Sequence, residues 1–225
     1  MSSRPTALVT GASRGIGAAT ARALAATHDV HLGGRDTRAV AALAAELPGS
    51  TAWPVELTGV TAADVAGFAS LDVLVHSAGV AQLGTLAESS AQQWRDTFEL
   101  NVVAVAELTR LLLPARRAAG GHVVMINSGS GLQANPGWGS YAASKFALRA
   151  LADALRAEEP GLRVTSVHPG RVDTEMQRGV VAHEGGDYDG RRYLRSASVA
   201  AAVLAAVQAS PDAHLTDLVL RPTGR

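Results

Sequence analysis

The sequence predicts an α/β fold in three layers, doubly wound, with helices covering both faces of a mostly parallel sheet of about seven strands. Short β-branched and apolar runs alternate with alanine-rich helical segments along the whole chain. A glycine-rich turn joins the first such run to the first helical segment. No linker, repeat or low-complexity segment interrupts the 225 residues, so we expect a single domain spanning residues 1–225.

The composition limits the classes of function. Lys+Arg and Asp+Glu balance at 20 each, so we expect neither nucleic acid nor an anionic membrane as a partner. The absence of cysteine excludes disulfides and thiolate nucleophiles, and it is compatible with the cytoplasm, where we expect the protein to act. The longest aliphatic run, residues 199–207, is too short to span a bilayer. The first ten residues lead directly into structure, which predicts no signal peptide, and the scattered histidines predict no metal site.

The first strand and helix enclose a glycine turn. Residues 6–10 form a β-branched and apolar run, and residues 18–26 have a helical composition. Between them stands Gly11-Ala12-Ser13-Arg14-Gly15-Ile16-Gly17, with the spacing Gly-x-x-x-Gly-x-Gly. This order presents the free N–H groups of a helix N-terminus to a phosphate, and the glycines allow close backbone approach. The alternative is a tight turn into a buried helix, but the position after a first strand favours a nucleotide.

A tyrosine and a lysine share one helix face. Lys145 is the only lysine of the chain and stands four residues after Tyr141, so a helix places both side chains on one side. A free tyrosine titrates near pH ~10, and a neighbouring positive charge lowers that pKa. Such a phenol can exchange a proton with a substrate oxygen. The alternative is an exposed tyrosine and lysine on a helix surface.

Together with Ser128, which stands thirteen residues before Tyr141, these motifs give the chain a family resemblance. It resembles the short-chain dehydrogenases/reductases over nearly its whole length. The resemblance implies a Rossmann-like fold. It also implies an oxidoreductase that interconverts a carbonyl, ketone or aldehyde, and a secondary or primary alcohol by hydride transfer.

The end of the second strand bears on the choice of cofactor. Residues 30–34 are followed by Arg35 and Asp36. An acidic residue at this strand end binds the ribose 2′-OH of NAD, whereas an arginine accommodates the 2′-phosphate of NADP. By the family's spacing Arg35 occupies the deciding position, and Arg14 adds a second cation, so we expect NADP(H). The alternative makes Asp36 a ribose ligand and the cofactor NAD(H); otherwise Asp36 caps the next helix, residues 37–47.

Later strand ends complete the expected cofactor site. A third strand, residues 51–55, precedes Glu56 and Leu57, and a fourth, residues 71–75, precedes His76-Ser77-Ala78-Gly79, where the family has Asn-Asn-Ala-Gly. We interpret His76 as a structural substitution. The resemblance implies that the cofactor is bound by Gly11, Ser13, Arg14, Gly15, Ile16, Gly17, Arg35, Glu56, Leu57, Ser77, Ala78, Gly79, Tyr141, Lys145, Pro169, Gly170, Val172 and Thr174.

Two further residues join the expected catalytic set. Asn101 lies within the long helical stretch of residues 91–117, where a mediocre helix former indicates a bend or a junction. The resemblance implies a kink there that holds a water beside Lys145. The fifth strand, within residues 122–127, delivers Ser128 to the carboxyl edge of the sheet, where ligands bind. Ser130 is a nearby alternative, but the interval to Tyr141 favours Ser128; Ser144-Lys145 lacks the Ser-x-x-Lys spacing of a serine hydrolase.

The last third of the chain surrounds the substrate. A helix over residues 139–158 and a strand over residues 162–167 precede the Pro169-Gly170 loop, and a helix and a strand follow at residues 198–209 and 215–220. Residues 177–195 are the least regular segment, expected to be a mobile lid that sets substrate choice or else a solvated loop. By proximity to the motifs, Gln82, Gln133, Trp138 and Met176 are candidate substrate contacts.

The sequence therefore predicts an NADP(H)-dependent oxidoreductase of the class that acts on CH–OH and C=O groups of small molecules. Tyr141 is the expected general acid and base, Ser128 positions the substrate oxygen, Lys145 lowers the Tyr141 pKa, and Asn101 supports a water relay. The resemblance implies a homodimer or homotetramer. Two alternatives remain, an NAD-linked alcohol dehydrogenase and a non-catalytic dinucleotide-binding sensor; the presence of all four residues favours an enzyme.

Overall fold

One parallel sheet forms the centre of the molecule. The computed structural model describes residues 4–223. Seven strands pair in the order β3-β2-β1-β4-β5-β6-β7, and every pairing is parallel. The predicted doubly wound α/β fold with about seven strands is thereby confirmed. In chain order the strands are β1 Thr6–Val9, β2 Asp29–Gly34, β3 Ser50–Pro54, β4 Val73–His76, β5 His122–Ile126, β6 Arg163–Pro169 and β7 Asp217–Leu220.

Helices connect the strands and cover both faces of the sheet. Helices α1, α2 and α8 pack on one face, and α5 and α6 pack on the other. The helices are α1 Gly15–Leu24, α2 Thr37–Glu46, α3 Ala62–Val65, α4 Ala91–Phe98, α5 Ala104–Ala119, α6 Gly139–Glu158, α7 Glu175–His183 and α8 Ser196–Val207. A π-helical segment, Glu99–Val103, joins α4 directly to α5, so the long helical stretch that the sequence predicts is continuous but interrupted around Asn101.

The strand residues explain why both faces are covered. Successive side chains of a strand point to opposite faces. In β1, Ala7 and Val9 belong to the core under α1 and α8, whereas Leu8 belongs to the core under α5. In β5, Val124 and Met125 divide in the same way between the two faces. Such strands are buried on both sides and therefore appear in the sequence as continuous apolar runs.

Three local expectations need correction. Helix α1 begins at Gly15 rather than at Ala18, so the glycine turn forms its first turn. The segment expected to be irregular, residues 177–195, starts as helix, because Thr174 caps α7 by accepting a hydrogen bond from the Gln177 N–H at 3.2 Å. The short helix α3 was not predicted; a capping box between Thr61 and Asp64 stabilises it.

The topology places a crevice beside β1 and β4. The chain runs outward from β1 to β3 and then crosses back to β4, so the connections after β1 and β4 leave in opposite directions. Ligands of open α/β sheets bind at the carboxyl edge at this point. Between residues 4 and 223 no helix is long and apolar enough to cross a membrane. Within that range, histidine, aspartate and glutamate side chains form no group of three or more that could hold a metal ion.

Candidate active site

Two connected cavities open at the carboxyl edge of the sheet. The larger, about 630 Å³, contains Ser128, Tyr141 and Lys145 in its wall. The smaller, about 420 Å³, is bordered by the glycine turn and by the ends of β2, β3 and β4. Both include Ile16 and Gly79, so a long ligand can extend from one cavity into the other.

The glycine turn shapes the smaller cavity. Gly11 has φ +64°, and a Cβ there would lie 2.8 Å from the Ala78 backbone. A Cβ on Gly17 would lie 2.2 Å from the Gly11 carbonyl oxygen. The residue before α1, Arg14, makes no side-chain capping hydrogen bond. The first-turn N–H groups of α1 are therefore available to an anion, which fits the pyrophosphate of a dinucleotide.

Two arginines border the far end of the smaller cavity. Arg14 and Arg35 both line it, and the Arg35 guanidinium lies 3.7 Å from the Glu56 carboxylate in an exposed ion pair. Asp36, the rival ribose ligand, accepts a hydrogen bond from the Ala39 N–H at 3.0 Å and so caps α2. The acid of this strand end is thus engaged by the helix, and the arginines present the charge that a 2′-phosphate needs.

The residues expected to bind the cofactor divide between the two cavities. The smaller cavity is lined by Gly11, Ser13, Arg14, Gly15, Ile16, Gly17, Arg35, Glu56, Leu57, Ser77, Ala78, Gly79 and Thr174. The larger one is lined by Tyr141, Lys145, Pro169, Gly170, Val172 and again Thr174.

Tyr141 and Lys145 lie side by side on the buried face of α6. The Lys145 Nζ stands 5.7 Å from the centre of the Tyr141 ring and donates a hydrogen bond of 3.0 Å to the Ile126 carbonyl. Both side chains are buried, and both line the larger cavity. Trp138 packs edge-on against the Tyr141 ring at 5.8 Å between centroids. The phenol is thereby held in one orientation at the cavity wall.

The pKa of Tyr141 shifts in the direction opposite to the sequence-based expectation. Burial raises the pKa of the Tyr141 phenol, and a hydrogen bond with the Ser128 side chain lowers it by a smaller amount. Burial also lowers the pKa of Lys145 to about 8. Because the ammonium is itself desolvated and turned toward the Ile126 carbonyl, it does not produce the depressed Tyr141 pKa that we expected.

Asn101 lies behind the cavities rather than in their walls. Its side-chain amide donates to the Val80 carbonyl at 2.9 Å and to the Ser144 hydroxyl at 3.0 Å. Its carbonyl oxygen accepts from the Val80 N–H at 2.9 Å. The Ser144 hydroxyl donates in turn to the Tyr141 carbonyl at 2.7 Å. The π-helical segment thus links the end of β4 to α6 through one buried amide.

Two supporting residues were missed in the sequence. Asn127 donates to the Lys145 carbonyl at 3.1 Å and accepts from the Ser128 N–H at 2.8 Å, so it links β5 to α6. The buried ring of His168 lies with Nδ1 3.2 Å from the Ser128 carbonyl. Asn127 follows β5, and His168 is the next-to-last residue of β6, so each stands directly beside a motif residue. The available signal was a polar side chain at the end of an apolar strand.

The four candidate substrate contacts differ in where they lie relative to the larger cavity. Gln133, Trp138 and Met176 line the larger cavity. Gln82 does not; it is exposed, and its contribution is a main-chain carbonyl that accepts from the Ser140 hydroxyl at 3.2 Å. The lining residues that were not anticipated include Arg171, Gln177 and Arg221.

His76 has the structural role that we expected for it. Its Nε2 lies 2.9 Å from the Thr109 hydroxyl on α5, away from both cavities. Burial lowers its pKa to about 3, with Arg116 contributing, so the ring is neutral. It joins β4 to α5 and takes no part in the site.

Comparisons with known proteins agree with this geometry. Residues 5–185 match the family described as short chain dehydrogenase. The chain is 33% identical over 96% of its length to a glycine betaine reductase of Emericella nidulans, of which it spans 18%. It is 42% identical over 54% of its length to an uncharacterized NAD-dependent oxidoreductase of Mycobacterium tuberculosis, of which it spans 46%. It is 31% identical to the mouse dehydrogenase/reductase SDR family member 11, with 96% and 94% of the two chains covered.

A solved structure extends the likeness to three dimensions. An alcohol dehydrogenase from the archaeon Thermococcus sibiricus, crystallised with 5-hydroxy-NADP, superposes with a TM-score of 0.88 at 27% identity. The superposition covers 98% of this chain and 97% of the archaeal one. The whole of the described fold is therefore shared with an oxidoreductase.

Proposed function

This chain belongs to the short-chain dehydrogenase/reductase family of NAD(P)-dependent oxidoreductases, and on that premise we propose that it reduces the carbonyl group of a small ketone or aldehyde to an alcohol with NADPH. The observation that carries the proposal is that the half-buried Ser128 and the buried Tyr141 and Lys145 lie together in the wall of one cavity that continues into the glycine turn. When bound, NADPH supplies the hydride.

The protein contributes the proton. Because burial raises the pKa of Tyr141, its phenol is protonated at neutral pH and can donate to the oxygen that becomes the alcohol. Ser128 lines the same cavity and lowers the Tyr141 pKa, which puts a second hydroxyl beside the same point. A carbonyl oxygen held between the two hydroxyls is polarised by the first and protonated by the second.

Lys145 and Asn101 support the phenol. A Cβ on Gly79 would lie 3.8 Å from the Lys145 Nζ, so the missing side chain leaves the ammonium accessible from the cofactor side. We assign Lys145 to the ribose next to the nicotinamide and to proton return to Tyr141. We assign Asn101 to the water relay behind it, with its three hydrogen bonds keeping the π-helical segment in place.

Two observations favour NADP(H) over NAD(H). Arg14 and Arg35 both line the cavity end where a 2′-phosphate would lie, and Asp36 is engaged as the cap of α2. The archaeal dehydrogenase with the same fold holds an NADP derivative, although the mycobacterial relative carries an NAD-dependent name. Binding constants for NADPH and NADH separate the two: we expect tighter NADPH binding, and Arg35→Ala should lower NADPH affinity about tenfold without changing NADH affinity. Equal affinities in the wild type would assign the NAD-linked alternative.

The test of the reaction is Tyr141→Phe. We expect the wild type to oxidise NADPH in the presence of at least one member of a panel of ketones and aldehydes. Removal of the phenol oxygen should lower kcat by at least about 100-fold while the binding of NADPH persists. Unchanged turnover in the variant would remove Tyr141 from the mechanism. Binding of NADPH with no turnover across the panel would favour the non-catalytic sensor instead.

We further propose that the chain forms a homodimer or homotetramer through the outer faces of α5 and α6. Val103 and Phe146 are 49% and 42% exposed on neighbouring helical segments, a pairing that a second copy would cover. A mass measured by light scattering tests this, with Phe146→Glu expected to yield monomers. We expect action in the cytoplasm, which fractionation of expressing cells would test.

A further inference from the structure

An exposed arginine, Arg221, lines the larger cavity close to Ser128. Arg221, just after β7, donates from one terminal nitrogen, Nη1, to the carbonyls of His168 and Leu220, each at 3.0 Å. Across residues 4–223 its other nitrogens meet no acceptor and no carboxylate pairs with it. The guanidinium is thus anchored at one corner and presents the rest of its donors to the cavity.

The lack of a side chain at Gly129 lets the Arg221 guanidinium approach Ser128. A Cβ on Gly129 would lie 3.3 Å from the Arg221 Nη2 and 3.4 Å from its Cζ. Gly170, in the loop expected to flank the nicotinamide, would bring a Cβ to 3.5 Å from the Arg221 Cδ. The arginine therefore lies over the backbone one residue beyond Ser128, close to where a substrate carbonyl would be held.

A buried amide in the same cavity also lacks an acceptor. Gln177, on the first turn of α7, is 6% exposed, and its Nε2 has no hydrogen-bond partner among the described residues. It lines the cavity with Arg221. An unpaired buried donor costs stability, so its retention in a cavity wall points to a ligand that supplies the acceptor.

The charges in the cavity wall add up to a preference for one negative charge. The other arginine there, Arg171, is hydrogen-bonded to Glu184, which also lines the cavity, so the two neutralise each other. Arg171 also lies over the Trp138 ring at 6.0 Å. Besides the buried Lys145, only Arg221 is left with an unbalanced charge among these lining residues, which suits a monoanion better than a doubly charged phosphate.

Resting on the function proposed above, we propose that the carbonyl substrate carries a carboxylate, which Arg221 binds with the help of the Gln177 amide. The carbonyl lies between Ser128 and Tyr141, and the carboxylate lies toward the C-terminal end of β7. Apolar groups of Trp138, Val172 and Val180 border the space between the two ends. The substrate class is a keto acid or an aldehyde acid with an apolar spacer.

A matched pair of ligands tests the proposal with and without turnover. 5-Oxohexanoate and its uncharged amide are compared as substrates with NADPH, and hexanoate and hexanamide are compared by calorimetric titration of the cofactor-free and the NADP⁺-saturated protein. We expect the acid to exceed the amide by about tenfold in kcat/KM and in affinity. This preference should weaken at high ionic strength, because salt screens the ion pair.

Variants then separate charge from packing. Arg221→Gln should reduce the ratio of the acid's kcat/KM and affinity to those of the amide to about one. Arg221→Lys should retain part of the preference for the acid. Gln177→Glu should lower the affinity for hexanoate below that of the wild type, because it places a carboxylate in the wall of the larger cavity. Arg149→Gln, on the outer side of α6 and outside both cavities, serves as the matched control and should leave the ratio as in the wild type.

The possible outcomes are distinct. Equal values for acid and amide in the wild type, or an unchanged ratio in Arg221→Gln, would overturn the carboxylate site. If no carbonyl compound is reduced, the proposed reaction fails, but the titrations with hexanoate and hexanamide still decide whether the cavity binds a carboxylate.

Discussion

His168 and Asp217 join the neighbouring strands β6 and β7 beside Ser128. The His168 Nε2 lies 3.0 Å from the Asp217 carboxylate on β7, and its Nδ1 lies 3.2 Å from the Ser128 carbonyl. Both ring nitrogens face oxygen atoms, so the ring is held between Asp217 and the Ser128 carbonyl. The edge strand β7 is thereby connected to the loop that carries Ser128.

Asp217→Asn should impair turnover more than folding. The substitution replaces the carboxylate on one side of the His168 ring with an amide, which weakens the contact that orients the ring toward the Ser128 carbonyl, and the serine loses one restraint. We expect kcat to fall about threefold to tenfold, with the NADPH dissociation constant unchanged. Steady-state kinetics and a cofactor titration measure this. Asp212→Asn, in the exposed turn before β7, is the control; equal kcat values in both variants would exclude a positioning role for Asp217.

Lys145→Met should stabilise the fold at neutral pH. Burial lowers the Lys145 pKa to about 8 from its ordinary 10.5, so below pH 8 the folded protein carries an ammonium in an unfavourable site. Between those two pH values the unfolded chain keeps a proton that the folded chain has lost, and the unfolding free energy of the wild type therefore rises with pH. Allowing for the donor lost by the Ile126 carbonyl, we expect the variant to be more stable by about 1–2 kcal/mol at pH 7.

The pH dependence is the decisive part of that experiment. Urea unfolding of wild type and variant at intervals from pH 6 to pH 10 should give a difference that is constant below pH 8 and shrinks above it. A difference that stays the same up to pH 10 would show that packing, rather than the buried charge, causes it. The variant should also have lost carbonyl reduction.

Glu56→Gln should strengthen NADPH binding slightly. The Glu56 carboxylate lies 3.7 Å from the Arg35 guanidinium and competes with a 2′-phosphate for it. The pair is exposed, so we expect only about a twofold to threefold gain in NADPH affinity and no gain for NADH. Glu46→Gln, which removes a comparable surface pair with Arg22, is the control for a general change in charge. Weaker NADPH binding would mean that Glu56 itself contacts the cofactor.

Gly17→Ala should disrupt the glycine turn between β1 and α1. The new Cβ would lie 2.2 Å from the Gly11 carbonyl oxygen, so α1 or the turn must move. We expect a loss of about 2–4 kcal/mol in unfolding free energy and of detectable NADPH binding. Gly179→Ala is the contrasting substitution, because a Cβ there meets nothing within 4 Å on α7. That variant should gain about 0.5–1 kcal/mol from helix propensity; a similar loss in both would point to a general intolerance of added side chains.

The sequence predicted those parts of the site whose residues are neighbours along the chain. Tyr141 and Lys145 are one helical turn apart, and the glycine turn is a single loop, so local geometry alone places them. The parallel order of the strands also followed from the alternation of strand and helix. Prediction was less successful where the partner is distant: His168 meets Asp217 only because β6 pairs with β7.

The direction in which the Tyr141 pKa shifts was also not predicted correctly. The spacing of Tyr141 and Lys145 places an ammonium near a phenol but does not show how deeply both are buried, and desolvation outweighs the attraction that we expected. The positions of Gln82 and Arg221 relative to the cavity were likewise not predictable from the sequence. Gln82 stands near a motif in the sequence, but it is exposed. Arg221 directly follows β7, and that strand brings it next to Gly129 in the cavity wall.

The π-helical segment Glu99–Val103 makes the length of this helix as important as its composition. A π turn contains one residue more than the α-helical turn it replaces, so the segment absorbs one residue while α4 and α5 keep their rotational phase. Deleting a single residue there would restore ordinary winding with α4 and α5 in nearly the same relation, but it would remove the widened turn that holds Asn101. Inserting a further residue would instead rotate α4 by about 100° about its axis. Trp94, whose ring would lie 3.5 Å from a Cβ on Gly139, would then leave the start of α6. Insertions and deletions between residues 99 and 103 should therefore be far less tolerated than substitutions of the exposed residues in the same stretch.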